Sequence, residues 1–116
     1  MAQSGKGPQE ISSESELLTQ TKNAGNKLLV YEFTSKDFAS ACDAMKGTFE
    51  ELARKFSDRA EFFVLDRDKF KSKARKLKLE AYPTFVMFNG SENNVVGKVI
   101  GVKDEALKNT IEKLVI

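Results

Sequence analysis

The chain has 116 residues, 41% apolar and 31% charged, which suits one compact domain with a hydrophobic core and a charged surface. Its formal net charge of +2 does not by itself indicate nucleic acid or a membrane as a partner, and no apolar run approaches the ~20 residues of a membrane span. A single cysteine excludes an intramolecular disulfide, and the absence of histidine disfavours Cys/His zinc sites and imidazole catalysis, so no metal and no cofactor are expected.

The start of the chain is small and polar. Residues 1–8 are expected to form a disordered tail, followed by a single domain over residues 9–116. The polar start lacks the apolar stretch of a secretory signal, and a lone cysteine fits a reducing compartment. We therefore expect a cytoplasmic protein.

Strand and helix patterns alternate along the rest of the chain. Apolar runs predict strands at residues 9–12, 27–34, 61–66, 84–88 and 95–100. Apolar residues three and four apart predict helices from a Ser13–Glu16 capping box to Gly25, then over residues 37–56, with Asp37 as N-cap, and over residues 69–79 and 104–116. Strands separated by helices favour parallel pairing, and an Asn89–Gly90 turn predicts a hairpin of the last two strands. The order predicts an α/β fold with a central mixed sheet of four to five strands and helices on both faces.

Four segments, in this order and spacing, resemble markers of the thioredoxin family. They are Ala24–Leu28 before the central strand, Phe49–Leu52 inside the following helix, Tyr82–Phe85 at a strand entry, and Gly101 before the last helix. The resemblance covers about residues 9–116 and implies the thioredoxin fold. It does not by itself carry over the family's activity.

The active-site motif departs from the family's paired cysteines. Where the family has C-x-x-C, this chain has Ala39, Ser40, Ala41 and Cys42, and Phe38 replaces the preceding tryptophan. The chain therefore resembles a single-cysteine variant. In the family, the first thiolate attacks a disulfide and the second resolves the mixed disulfide. With Ala39 in the first position that turnover is blocked, and whether the chain is an enzyme stays open.

Two residues are candidates for thiol chemistry. Cys42 matches the resolving cysteine, but it lies on an apolar helix stripe, so an inert core cysteine competes with a working monothiol. A Cys42-linked dimer would require that the sulfur reach the surface. Glu32 interrupts an apolar strand and is expected to be buried. The resemblance implies that it exchanges a proton with the thiol, whereas a salt bridge with a lysine is the alternative.

A peptide groove is the second candidate site. The resemblance implies a cis bond between Tyr82 and Pro83, and backbone there that pairs with an extended peptide. Phe38, Ala39 and Gly101 would outline the same groove. The alternative is that Pro83 only shapes the fold.

Six lysines and arginines crowd residues 69–78. Without aromatic residues among them, base stacking has no support, and nucleic-acid binding is not expected. We interpret this segment mainly as a solvated helix face, with binding of a phosphate or an acidic partner left open.

Three functions follow from these observations. The first is a thioredoxin-like protein of redox homeostasis that lacks the nucleophile and uses Cys42 as a monothiol. The second is a non-catalytic module that binds a peptide or protein partner in the groove beside Pro83. The third is a dithiol disulfide reductase whose first cysteine has been replaced by Ala39.

Overall fold

The computed structural model describes residues 5–115. Its elements are, in chain order, β1 (Gln9–Ile11), α1 (Glu14–Asn23), β2 (Leu28–Thr34), a 3-10 turn (Lys36–Phe38), α2 (Ala39–Lys55), β3 (Ala60–Asp66), α3 (Lys71–Lys76), β4 (Thr84–Asn89), β5 (Val95–Ile100) and α4 (Asp104–Leu114). Among these residues no helix is long and apolar enough to cross a bilayer.

The five strands form one mixed sheet in the order β1-β3-β2-β4-β5. β1 and β2 run parallel to β3, whereas β4 runs antiparallel to β2 and β5. The predicted α/β thioredoxin fold is confirmed, including the terminal hairpin. Because β2 and β4 are antiparallel, the end of β2 lies beside the start of β4, where Phe33 pairs with Thr84.

Each face of the sheet has its own hydrophobic core. α2 and α4 cover one face, where Phe49 and Ile111 pack with alternate strand residues such as Val30. α1 and α3 cover the other face, where Leu17 and Phe70 are buried. The two cores arise because consecutive strand side chains point to opposite faces.

The start of α1 matches the sequence prediction. The Ser13 hydroxyl accepts a 3.1 Å hydrogen bond from the backbone N–H of Glu16. Gly25 follows the helix with φ +63°, a backbone conformation that glycine adopts without strain.

The predicted N-cap of α2 is wrong. The Ser35 hydroxyl, not Asp37, accepts a 3.2 Å hydrogen bond from a backbone N–H, and the donor is Asp37 itself. Ser35 has extended backbone geometry and caps the 3-10 turn. The α-helix then begins at Ala39, with Phe38 at its cap position and no side-chain cap.

α3 is shorter than the predicted helix over residues 69–79. The backbone N–H groups of Lys69 and Phe70 bond to the carbonyl of Asp66, so these residues belong to a turn. The helix ends before Lys78, whose positive φ of 59° is incompatible with its continuation.

The segment before β1 has no regular secondary structure in residues 5–8, although Lys6 forms a 3.4 Å ion pair with Glu61. Residues 1–4 of the predicted tail and Ile116 of the predicted last helix lie outside the described residues. The tail and the domain boundary at residue 9 stay predictions.

Candidate functional site

The end of β2, the start of α2 and the entry to β4 meet at one end of the sheet. The ring of Phe38, just before α2, packs on the ring of Tyr82 with a centroid distance of 5.4 Å. The backbone N–H of Gly101 donates a 2.8 Å hydrogen bond to the carbonyl of Pro83. Four of the five predicted groove residues are thus linked in pairs by contacts, and the fifth, Ala39, directly follows Phe38.

The surface around these residues is apolar and partly open. Phe38 is 38% exposed, and Ile100 and Val102, which flank Gly101, are each 48% exposed. Tyr82 and Pro83 are buried, and the bond between them is cis. Exposed apolar side chains therefore lie beside the buried Tyr82–Pro83 pair.

Gly101 adopts φ +87°. That conformation lies in the left-handed region, which side chains with a Cβ rarely adopt. This positive φ explains why a glycine follows the end of β5, where the Gly101 N–H bonds to the Pro83 carbonyl.

The helix start carries no nucleophile. Ala39 is the first residue of α2 and is exposed. A thiol there would be stabilised as a thiolate by the helix dipole and by unpaired backbone N–H groups. The methyl group of Ala39 has no such chemistry.

Cys42, the only cysteine, lies one turn further along α2 and is half-buried. Burial raises the pKa of its thiol, and the negative charges of Glu32 and Asp43 raise it further. A backbone hydrogen bond with Ser35 lowers the pKa, but by less than burial raises it. The burial predicted for Cys42 is thus only partial. Because burial is the largest effect, the pKa of the thiol is raised overall and the protonated form is favoured.

Glu32 is buried in β2, between Val64 of β3 and Phe85 of β4. It shares a cleft of about 430 Å³ with Cys42 and Lys46. Burial raises the pKa of its carboxyl to about 7. Among residues 5–115 this carboxylate has no ion pair or hydrogen bond, so the lysine salt bridge that was the alternative interpretation is not found there.

The sequence pattern that defines the thioredoxin family, described as Thioredoxin, matches residues 10–113. This chain belongs to the thioredoxin family. The match confirms the resemblance. The chain is an atypical member because it has one cysteine and carries Ala39 where the family has its first active-site cysteine.

Individual thioredoxins support the assignment. Thioredoxin H4 of Arabidopsis thaliana is 39% identical over 88 residues, covering 76% of this chain and 71% of that protein. Thioredoxin-1 of Drosophila melanogaster is 33% identical over 92 residues, covering 79% and 83%. The crystal structure of the germline-specific thioredoxin Deadhead from Drosophila melanogaster superposes with a TM-score of 0.85 at 28% identity, covering 91% of this chain and 98% of that one. Thioredoxin f from spinach chloroplast gives 0.79 at 31% identity, covering 97% and 96%.

Sequence reasoning missed Arg67 in this thioredoxin. Its guanidinium lies 5.9 Å from the ring centroid of Tyr82, on which Phe38 also packs. Nη2 of Arg67 donates a 3.2 Å hydrogen bond to Asp37. Asp37 therefore anchors Arg67 beside the groove instead of capping α2. No sequence pattern marks this contact, because 30 residues separate the partners.

Proposed function

We propose that this thioredoxin serves redox homeostasis by binding extended segments of partner proteins in the groove formed by Phe38, Ala39, Tyr82, Pro83 and Gly101, without dithiol turnover. Thioredoxins act on protein partners, and backbone pairing with an extended segment does not depend on a thiol. We place this function in the cytoplasm.

One observation carries the proposal. The groove residues contact one another around the cis Pro83, while the adjoining helix start presents Ala39 in place of a nucleophile. These contacts support a peptide-binding groove, and the helix start lacks the sulfur with which the family opens a disulfide.

The test is a titration followed by ¹H–¹⁵N NMR. The probe is a cysteine-free peptide of about ten residues that alternates valine and serine, added to the ¹⁵N-labelled protein up to millimolar concentration. We expect the amide signals of Tyr82, Gly101 and Val102 to shift, because the peptide backbone pairs beside them.

Two variants of α2 provide the control. Ala39→Trp places a bulky side chain at the groove and should abolish the shifts, whereas Ala44→Trp, at another exposed position of the helix, should leave them unchanged. Absence of shifts at the groove, or shifts that survive in A39W, would contradict peptide binding at this site.

Monothiol chemistry at Cys42 is the second candidate, favoured because the sulfur is only half-buried and shares a cleft with Glu32. The thiol proton would pass to the Glu32 carboxylate, and the thiolate would attack a partner disulfide. Cys42 would then form a mixed disulfide with one partner sulfur, and the other partner sulfur would leave as a thiolate and take the proton from Glu32.

Alkylation distinguishes this candidate. Iodoacetamide labelling of the native protein as a function of pH, followed by intact mass, should show a midpoint above the free-thiol value of ~8.5, because burial disfavours the thiolate. Fast labelling with a midpoint well below that value would favour the monothiol route.

A dithiol reductase whose first cysteine has been replaced by Ala39 remains the third hypothesis. The codon at this position in the natural gene decides it, since a cysteine codon there would restore the family's C-x-x-C motif.

A further inference from the structure

A cationic pocket lies next to the groove. Its volume is about 240 Å³, and its lining consists of Arg67, Lys71, Ala74, Arg75, Leu79 and Tyr82. The ring of Tyr82 forms the boundary between the two sites, with Phe38 packed on it from the groove and Arg67 stacked on it from the pocket lining.

Two of the pocket cations have no anionic partner within the part of the chain that the structure describes. Lys71 and Arg75 are exposed, and within residues 5–115 neither side chain forms a hydrogen bond or an ion pair. Because they are four residues apart on α3, they lie on the same side of the helix. Their charges are available to a ligand in this pocket.

The neighbouring lysine of α3 serves a different purpose. Lys73 is half-buried, and its ammonium contacts Glu92 at 2.7 Å and Glu14 at 3.2 Å. The basic segment is therefore divided. On one side, Lys73 is paired with glutamates of the fold. On the other side, Lys71 and Arg75 are unpaired and line the pocket, so the segment is not a uniformly solvated helix face.

Arg67 is already partly neutralised. Its Nη2 pairs with Asp37 at 3.2 Å. Its buried Nε lies 3.4 Å from Asp68 Oδ1, an ion-pair contact that does not meet hydrogen-bond geometry among the described residues. Its charge is therefore largely balanced within the fold, and the unpaired charge of the pocket belongs to Lys71 and Arg75. A side-chain carboxylate of a peptide held in the groove complements these two cations, because Tyr82 lines the pocket and also contacts Phe38 of the groove.

We propose that this pocket binds a glutamate or aspartate side chain of the partner segment, so that the groove prefers acidic peptides. The inference rests on the proposed function, since the groove must first hold the segment. Exposed charge pairs of this kind contribute specificity more than affinity and are screened by salt.

The test compares two versions of the valine–serine peptide that carry either three glutamates or three glutamines at the same serine positions. Dissociation constants come from the same NMR titration. We expect the glutamate peptide to bind about 3- to 10-fold more tightly at low salt, with added shifts at the amides of Lys71 and Arg75. The preference should disappear at about 0.5 M NaCl because that salt screens exposed charges.

Charge-reversal variants locate the effect. K71E/R75E should lose or reverse the preference for glutamate, whereas K108E/K113E, with the same charge change on exposed lysines of α4 across the sheet, should keep it. All four substituted residues are exposed, so the fold should tolerate either double substitution.

The outcomes separate the two proposals. Equal binding of both peptides at the groove, or a preference that K108E/K113E removes equally, would overturn the acidic-peptide inference alone. Absence of groove shifts with either peptide would overturn the proposed function together with it.

Discussion

Glu32 is an ionisable side chain in an apolar, buried environment. It is buried in the central strand of the sheet, and within residues 5–115 its carboxylate forms no ion pair or hydrogen bond. Burial raises its carboxyl pKa from 4.5 to about 7. The folded state therefore binds more protons than the unfolded state between these pH values, and the free energy of unfolding falls as the pH rises through this window.

Replacing Glu32 by glutamine should remove this pH dependence. A shift of that size corresponds to about 3 kcal/mol, so E32Q should be more stable than the parent by up to that amount near pH 8 and about equal to it near pH 4. Urea unfolding at several pH values measures the difference. Glu50→Gln, in the same cleft, controls for the loss of one negative charge, and an unchanged pH profile in E32Q would contradict this account.

The burial of Glu32 was predictable from strand alternation, since it shares a face with Leu28 and Val30. The missing partner was not predictable, because whether a lysine reaches the carboxylate depends on side-chain placement in three dimensions. The partial exposure of Cys42 has the same origin, because an apolar stripe predicts which face is covered but not how completely.

At the level of elements, a partly buried chain of polar contacts joins α1, β2, α3 and the turn between β4 and β5. The hydroxyl of Tyr31, fully buried in β2, donates a 2.5 Å hydrogen bond to Glu92, which also pairs with Lys73. Burial raises the pKa of Tyr31, and its bond to Glu92 raises it further. These contacts hold the turn against the α1/α3 face of the sheet.

Removing the acceptor should destabilise the fold more than removing the donor. Glu92→Ala leaves the Tyr31 hydroxyl buried without its partner and should lower the free energy of unfolding by about 1–3 kcal/mol, whereas Tyr31→Phe should lower it by about 1 kcal/mol. Urea unfolding of both variants and of the double variant tests this. Asn93→Ala, an exposed change in the same turn, should have little effect. An E92A variant as stable as the parent would show that the Tyr31–Glu92 hydrogen bond does not stabilise the fold.

Element boundaries were less predictable than element types. The capping box at Ser13 is a local signal and located the start of α1 correctly. The start of α2 was misplaced because Ser35 and Asp37 are both good caps, and only the length of the 3-10 turn decides which one acts. The partners of Glu92 could not be inferred, since Tyr31 is 61 residues away in the chain.

At the scale of the whole molecule, the sheet order places β2, β3 and β4 inside and β1 and β5 at the edges. The alternation of strands and helices was enough to predict a mixed sheet with a final hairpin and helices on both faces. It did not predict the order of the strands. The groove depends on the same topology, since it forms where antiparallel β2 and β4 bring Phe38 and Tyr82 together.

The topology predicts how stability is distributed. Backbone amides in β2, β3 and β4 should exchange with solvent most slowly, approaching the rate set by global unfolding, whereas those of the edge strand β5 should exchange faster through local opening. Hydrogen exchange followed by NMR measures both. Protection in β5 equal to that in β2 would contradict a sheet whose stability is centred on β2–β4.

We propose that this thioredoxin retains the family's groove and lacks disulfide turnover because Ala39 replaces the nucleophile. The most direct measurement is the rate of insulin disulfide reduction, with dithiothreitol as reductant, by the parent, by A39C and by A44C as a control that adds a cysteine elsewhere on α2. We predict that the parent and A44C match dithiothreitol alone. A39C should exceed them roughly tenfold, because a thiol at the helix start has a lowered pKa and Cys42 resolves the mixed disulfide. Turnover by the parent equal to that of A39C, or an inactive A39C, would contradict the claim.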